Sequence, residues 1–428
     1  MDYLLMNKDV KLLSFRTETS VLGTKITETA LYSDRRPHGW AGIEQWIEAR
    51  NYAKHKDHFR SMLKEWQMDT PDGFLRISHA LSLNDTLWVK PESSPLHWND
   101  VSLYSNQFDD VAATTAFETG LHGLQLSSTS PEFTSEGTYP KCWRREPGGI
   151  ELYKTGLTGF SNAGLEPYSE FMAAQIAGMM QGLHSVKYGL TKFKGRLCST
   201  CELFTDESTG FVPAYKLFPR NTPSNMAHTL DFCRDLGFER EFSDMIVLDA
   251  VTFNQDRHLG NFGFLIDNDT FEIKAFAPLF DFNRSMLCFA TEADLETDAA
   301  LADYFERNDV GHMLGGDFVE VAQAFMTPER KARMPRTVSL PSHFRYNLSN
   351  ERMERLNAIL EQNYGRIRNT RGLGFGKAKT AEPALPLSDT GIAKQPIRET
   401  TGASLQRPSE LVDATNKLIN NTEWKGQP

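Results

Sequence analysis

The stretch FNQDRHLGNFGFLIDN, Phe253 to Asn268, constrains the fold more than any other part of the chain. It sets Asp256, Arg257, His258 and Asn261 between two apolar segments. Upstream, EFSDMIVLDAVTFNQ reads as a buried helix; downstream, NFGFLID reads as a strand. Both flanks can be buried only if the polar residues between them share one loop at the edge of a core. Charges in such a place must be paired or must reach solvent.

The same residues have the makings of a phosphoryl-transfer site. That chemistry needs a carboxylate to orient a hydroxyl, an amide and a second carboxylate for magnesium, and a lysine held by an acid for the nucleotide phosphates. Asp256, at the end of the apolar helix, is the candidate base. Asn261 lies five residues on and offers a hard, neutral oxygen ligand. Asp281 follows the apolar run AFAPLFDF, and the intervening hairpin around NDTFE returns it beside the loop. Lys154 sits in the strand-like GIELYKTG, and Glu170 sits on the next helix, EPYSEFMAAQIAGMMQGL. Each has a plainer reading alone: DRH as a helix cap with a surface ion pair, Lys154 as a solvated lysine, DF as an ordinary strand end. The set, in this order, points to ATP and Mg2+ as cofactors.

The rest of the chain is read around that site. With 428 residues, 40% of them hydrophobic, the chain can form two or three packed domains. Its formal charge of −10 argues against direct nucleic-acid binding. The start, MDYLLMNKDVKLLSF, lacks the pattern of a signal peptide, and no run of roughly 18 apolar residues suggests a membrane span. The expectation is a cytoplasmic protein. CSTC holds a lone CxxC among five cysteines, and is read as two reduced thiols in a strand rather than a zinc or redox site.

Residues 1–110 read as a mixed N-terminal domain. It has a hairpin turning at NKD, a helix in GWAGIEQWIEARN with Ile43, Trp46 and Ile47 inward, and a second helix in HFRSMLKEWQ. Residues 111–220 combine strands with the one long helix, in which Pro167 suits the first turn and Phe171, Ala174, Ile176 and Met179 form an apolar side. RLCSTCELFT and GFVPAYKLF read as two strands joined by DESTG. Residues 221–369 are mostly helical, and residues 370–428 have the composition of a disordered tail, with a short helix possible at SELVDATNKLI.

DRHLGN followed by PLFDFN resembles the catalytic and metal loops of HipA-type bacterial serine/threonine kinases; the phosphoinositide kinases share the D-R-H-x-x-N order. LSLNDTLWVKP, EGTYPKCWRR, LYKTG, EPYSEFMAAQIA and GFVPAYKLF extend the resemblance over roughly residues 1 to 368. It implies a two-lobed, α+β, protein-kinase-like fold with Asp256 as base, Asn261 and Asp281 on magnesium, and Lys154, paired with Glu170, on the phosphates. Arg257 and His258 belong to the same loop. The region from Leu126 to Lys141 would be the loop over the nucleotide, with Gly137 in it and Lys141 at its end. Ser127, Ser128 and Ser130 would be its autophosphorylation candidates. Asn283 stands where related kinases carry a glycine; asparagine tolerates left-handed backbone better than most residues. The resemblance further implies an unidentified protein substrate and a toxin partnered by a DNA-binding antitoxin. The alternatives are a lipid or small-molecule kinase of similar fold and a catalytically silent kinase-like interaction module.

Overall fold

The computed structural model describes residues 1–20, 23–51, 70–108, 131, 134, 139–158 and 163–369. The sequence-expected helix HFRSMLKEWQ, most of the loop over the nucleotide (with Gly137, Ser127, Ser128 and Ser130) and the tail from Thr370 lie outside the described residues.

The N-terminal hairpin forms as β1 (Asp2–Asn7) and β2 (Val10–Ser20), with Lys8 at φ 50 in the tight turn. β3 (Gly23–Leu31) and β4 (Leu87–Pro91) complete an antiparallel sheet of order β3-β2-β1-β4. Side chains alternate across a strand, so Tyr3 and Leu5 join the main core while Leu4 and Met6 join a second cluster with Trp88, Trp98 and Ile150. Burial on both faces accounts for the unbroken YLLM run. Helix α1 (Ile43–Arg50) buries Ile43 and Ile47, and α2 (Pro71–Ser78) buries Phe74 and Leu75.

A second antiparallel sheet, β5-β6-β8-β7, is built from Lys141–Glu146, Gly149–Thr155, Arg196–Glu202 and Tyr188–Phe193. β7 is absent from the sequence reading. Its turn to β8 holds Lys194 and Gly195 at φ 50 and 78, the backbone that matches strand twist in a two-residue hairpin. Helix α3 (Glu166–Met179) packs against this sheet with Pro167 in its first turn. Phe171, Ala174 and Ile176 are buried as expected, together with Met172, Ala173 and Ala177. Met179, expected inward, is 41% exposed, because it lies four residues after exposed Gln175 on the outer face of the helix, while Ile176, Ala177 and Met180 stay buried.

The two strands read on either side of DESTG form as β8 and β9 (Thr209–Pro213), the second ending at Pro213 where Ala214–Lys216 turn into a 3-10 helix. β9 pairs with β10 (Gly263–Asp267) and not with β8, so this connector passes from one sheet to another. β11 (Ile273–Phe276) pairs with β10 around the NDTFE turn, giving the order β11-β10-β9. Helices dominate the remainder: α4 (Met226–Asp235), α5 (Glu239–Thr252), α6 (Asp298–Arg307), α7 (Phe318–Phe325) and α8 (Asn350–Arg368). Every residue of α5 from Phe242 to Thr252 is buried. The chain is thus a mixed α+β protein with a sheet-and-helix part and a mainly helical part. No helix among the described residues is long and apolar enough to cross a membrane.

The N-terminal sheet is seated on the β9–β10–β11 hairpin unit. Asn7 Nδ2 donates to the Asn268 carbonyl at 2.6 Å, while Asn7 Oδ1 accepts from Thr86 Oγ1 at 2.6 Å. Asn7 is buried, so its removal leaves a carbonyl and a hydroxyl without partners. Asn7→Ala is expected to lower unfolding free energy by about 1–3 kcal/mol, measured by urea denaturation; a change of a few tenths would show that this contact does not carry the docking.

Candidate active site

The loop after α5 is organised by a buried acid within the helix. Asp249 and Arg257 are both fully buried, and the guanidinium spans the carboxylate, Nε to Oδ2 at 2.9 Å and Nη2 to Oδ1 at 3.0 Å. Arg257 Nη1 donates to the Phe280 carbonyl at 2.8 Å and also to the Asn261 carbonyl. One side chain therefore joins the helix, the loop and the segment leading into Asp281. Asn254 Nδ2 adds a bond to Asp249 at 2.8 Å, and His312 Nε2 lies 3.6 Å from the same carboxylate. Burial pushes the Asp249 carboxyl up, but the charge of Arg257 and the His312 contact hold it below its ordinary value.

Asp256 and Asn261 face each other across this loop. Asn261 Nδ2 donates to the Asp256 carbonyl at 2.7 Å, and the Asp256 N–H donates to Asn254 Oδ1 at 3.1 Å. The Asp256 carboxylate lies 3.5 Å from Arg284 Nη1. His258 turns away from it: its Nδ1 accepts from the Gly260 N–H at 2.9 Å and serves the loop turn.

The second half of the site is a three-membered cluster in which Lys154 and Glu170 are buried and the Asp281 side chain is partly exposed. Lys154, on β6, donates to Glu170 Oε1 at 2.9 Å and to Asp281 Oδ1 at 2.5 Å. Burial disfavours the ammonium, but the Asp281 and Glu170 carboxylates outweigh it and raise the lysine above its ordinary value. Asp281 is correspondingly held low by Lys154, with Lys141 contributing, against the effect of burial. Burial pushes Glu170 up while Lys154 pulls it down, and its other oxygen accepts from Ser199. Lys141 stands directly opposite Lys154 in the β5–β6 ladder. The Tyr139 ring lies 5.3 Å from the Lys154 ammonium.

Helix α3 holds two parts of the cluster from adjacent positions. Glu170 fixes Lys154, and Ser169 Oγ donates to the Phe282 and Ser285 carbonyls at 2.9 and 2.5 Å. The turn at 281–285 differs from the sequence expectation in one respect. The left-handed residue is Asp281, at φ 56, and not Asn283. The Asp281 N–H is satisfied by the Tyr188 hydroxyl at 3.1 Å, and this fixes the strained residue. Asn283 is buried instead, and its Oδ1 has no partner among the described residues.

The structure therefore brings Lys154, Glu170 and Asp281 into direct contact, and joins Asp256 to Asn261. Arg257 ties the two groups together through Phe280. Sequence reasoning missed Asp249, Ser169, Tyr188 and Arg284. Asp249 carried a signal, an acid inside the apolar run MIVLDAV, because a buried carboxylate demands a partner. Cys198 and Cys201 lie buried in β8, as read from CSTC; burial raises both thiols, Cys198 to about 11, which makes them poor nucleophiles.

No protein-family model matches the chain, and no curated protein matches it. Among solved structures, it is similar to the Helicobacter pylori proinflammatory kinase CtkA, at 18% identity over 53% of this chain and 91% of that one, with a TM-score of 0.43. It is also similar to a chain of the Shewanella oneidensis MR-1 toxin–antitoxin complex of HipA, HipB and operator DNA, at 9% identity over 86% of this chain and 97% of that one, with a TM-score of 0.40. Likenesses this distant say nothing of the reaction, which has to be argued from the residues.

The Asp249–Arg257 pair makes two expectations. Asp249→Asn strands a buried guanidinium and is expected to destabilise the fold by about 3–5 kcal/mol, read by urea unfolding. Since folding holds the Asp249 carboxyl down, its contribution is complete above the unfolded aspartate value near 4 and is lost as pH falls below it. The Asn variant should show a shallower loss of stability over that acid range; an unchanged slope would assign the acid sensitivity to other carboxylates.

Proposed function

We propose that the chain is an ATP-dependent kinase that transfers the γ-phosphoryl group to a serine or threonine hydroxyl of a protein. The observation that carries this reading is Lys154 bound at once to Glu170 and Asp281, with the Asp256–Asn261 loop tied to the same segment by Arg257. Lysine has three N–H donors. Glu170 uses one and fixes the ammonium; the others reach Asp281 and the nucleotide phosphates. Asp256 orients the acceptor hydroxyl and takes its proton. The amide nitrogen of Asn261 is committed to the Asp256 carbonyl, which leaves its oxygen for a metal. Asp281, held ionised, is the second oxygen ligand. Two such oxygens completed by phosphate oxygens suit magnesium, which when bound neutralises phosphate charge.

The finer parts of the reading rest on motif resemblance. They are autophosphorylation at Ser127, Ser128 or Ser130, nucleotide contacts from Gly137 and Lys141, a toxin role and a DNA-binding antitoxin as partner. Mass spectrometry of the chain after incubation with ATP and Mg2+ tests the first of these directly.

Point variants separate the roles. Asp256→Asn is expected to lose phosphoryl transfer roughly a hundredfold or more while still binding Mg-ATP. Asp281→Asn should lose transfer and also the magnesium dependence of nucleotide binding. Calorimetry with a non-hydrolysable ATP analogue, with and without magnesium, tells the two apart. If neither variant changes transfer, the assignment of this loop fails.

Lys154→Met should remove transfer while the chain stays folded by circular dichroism. Wild-type turnover in that variant would take the lysine out of the site. A wild-type chain that binds nucleotide and transfers nothing would favour the silent interaction module.

A further inference from the structure

Two arginines meet the Asp256–Asn261 loop, and their bonding differs. Arg257 spreads its donors over both oxygens of Asp249 and the carbonyls of Asn261 and Phe280. That is the bonding of a structural tie. Arg284 is almost as deeply buried, at 6% exposure. Among the described residues its hydrogen bonding is a single contact, Nη1 to Asp256 Oδ1 at 3.5 Å. Its Nε is buried without an acceptor among the described residues, and the guanidinium lies 5.6 Å from the Phe289 ring centre.

A guanidinium has five N–H donors, and burying it with so little compensation is unfavourable. Arg284 is thus a poor device for holding the fold. Unexplained buried polar groups of this kind call for another reason to be there.

The reason lies in how Asp256 is held. Its main chain is fixed from both sides, by Asn254 at the N–H and by Asn261 at the carbonyl. Its carboxylate takes a hydrogen bond from Arg284 alone among the described residues. Without Arg284 the loop would stay in place and the carboxylate would be free to rotate. The charge of Arg284 also reaches the Tyr139 phenol and the Cys288 thiol.

We propose that Arg284 is the positioning residue for Asp256. This inference rests on the phosphoryl-transfer reading. In the step it serves, the acceptor oxygen bonds to the γ-phosphorus as the bond to the ADP oxygen breaks, and the hydroxyl proton passes to Asp256. Arg284 has no lone pair to take that proton; it aims the carboxylate that does.

The test uses the full chain with labelled ATP, Mg2+ and dephosphorylated casein as acceptor. Arg284→Ala is expected to lower kcat by about tenfold to a hundredfold, a share of what a general base contributes, with KM for ATP within about twofold of wild type. Guanidinium ion added below denaturing concentration should restore part of kcat in Arg284→Ala and none in Asp256→Asn. If Arg284→Ala does not fold, Arg284→Lys carries the same test through its kcat-against-KM split. A working wild type with an equally active Arg284 variant overturns the inference alone. A kcat loss that follows thermal stability, without rescue by guanidinium, also overturns it and makes Arg284 structural. A wild type that transfers nothing overturns the phosphoryl-transfer reading and this inference with it.

Discussion

The ion pair between Asp249 and Arg257 is the contact on which the site depends. Both side chains are fully buried. Such a pair gains little over an apolar replacement, but removing one member is severe. Its value here is positional. Asp249 sits in a helix buried from Phe242 to Thr252, and that rigidity passes through the guanidinium to the Asn261 and Phe280 carbonyls. The polar loop is thereby held against the segment that ends in Asp281, although the two are far apart in sequence.

A second constraint comes from the small sheet and its helix. Lys154 is delivered by the central strand β6, paired on both sides, and Glu170 by α3, which packs against the same sheet. Ser169, next in line, holds the 282–285 turn by two main-chain carbonyls. Asp281 adopts the left-handed backbone at φ 56 that non-glycine residues rarely take, and the Tyr188 hydroxyl compensates at its N–H. Strain at this one residue aims its carboxylate at Lys154.

Segments flanking β4 add a third restraint around the connector between the two sheet systems. Glu207 accepts from Trp98 Nε1 at 3.1 Å and Ser102 Oγ at 2.9 Å, and the Phe211 N–H donates to the Asn84 carbonyl at 2.7 Å. The stretch from β8 to β9 is the covalent link between the part that carries Lys154 and the part that carries Asp256. Glu207 in this stretch is thereby held by the short helical turn at 98–102, and Phe211 in β9 by the loop before β4.

Much of this was legible in the residues. The buried helix before Asp256 follows from its nearly unbroken apolar run, and the strand under Lys154 and the β10–β11 hairpin from short apolar segments bounded by turn residues, signals that are local and survive folding. The polar groups of the site were legible for the same reason: Asp256, Asn261 and Asp281 interrupt apolar runs. What the sequence does not carry is pairing between distant segments. β9 has the pattern of a strand whichever sheet it joins, so its partnership with β10 was decided by packing. Met179 is apolar but shares its helix face with exposed Gln175, and its neighbours Ile176, Ala177 and Met180 take the buried positions. The left-handed residue of the 281–285 turn and the Arg284 contact to Asp256 depend on three-dimensional neighbours, Tyr188 among them, that no spacing announces. Sequence alone determined which residues were available for the chemistry. Tertiary structure decided which of them meet, because burial in a shared core, not proximity along the chain, selects the partners of a charged group.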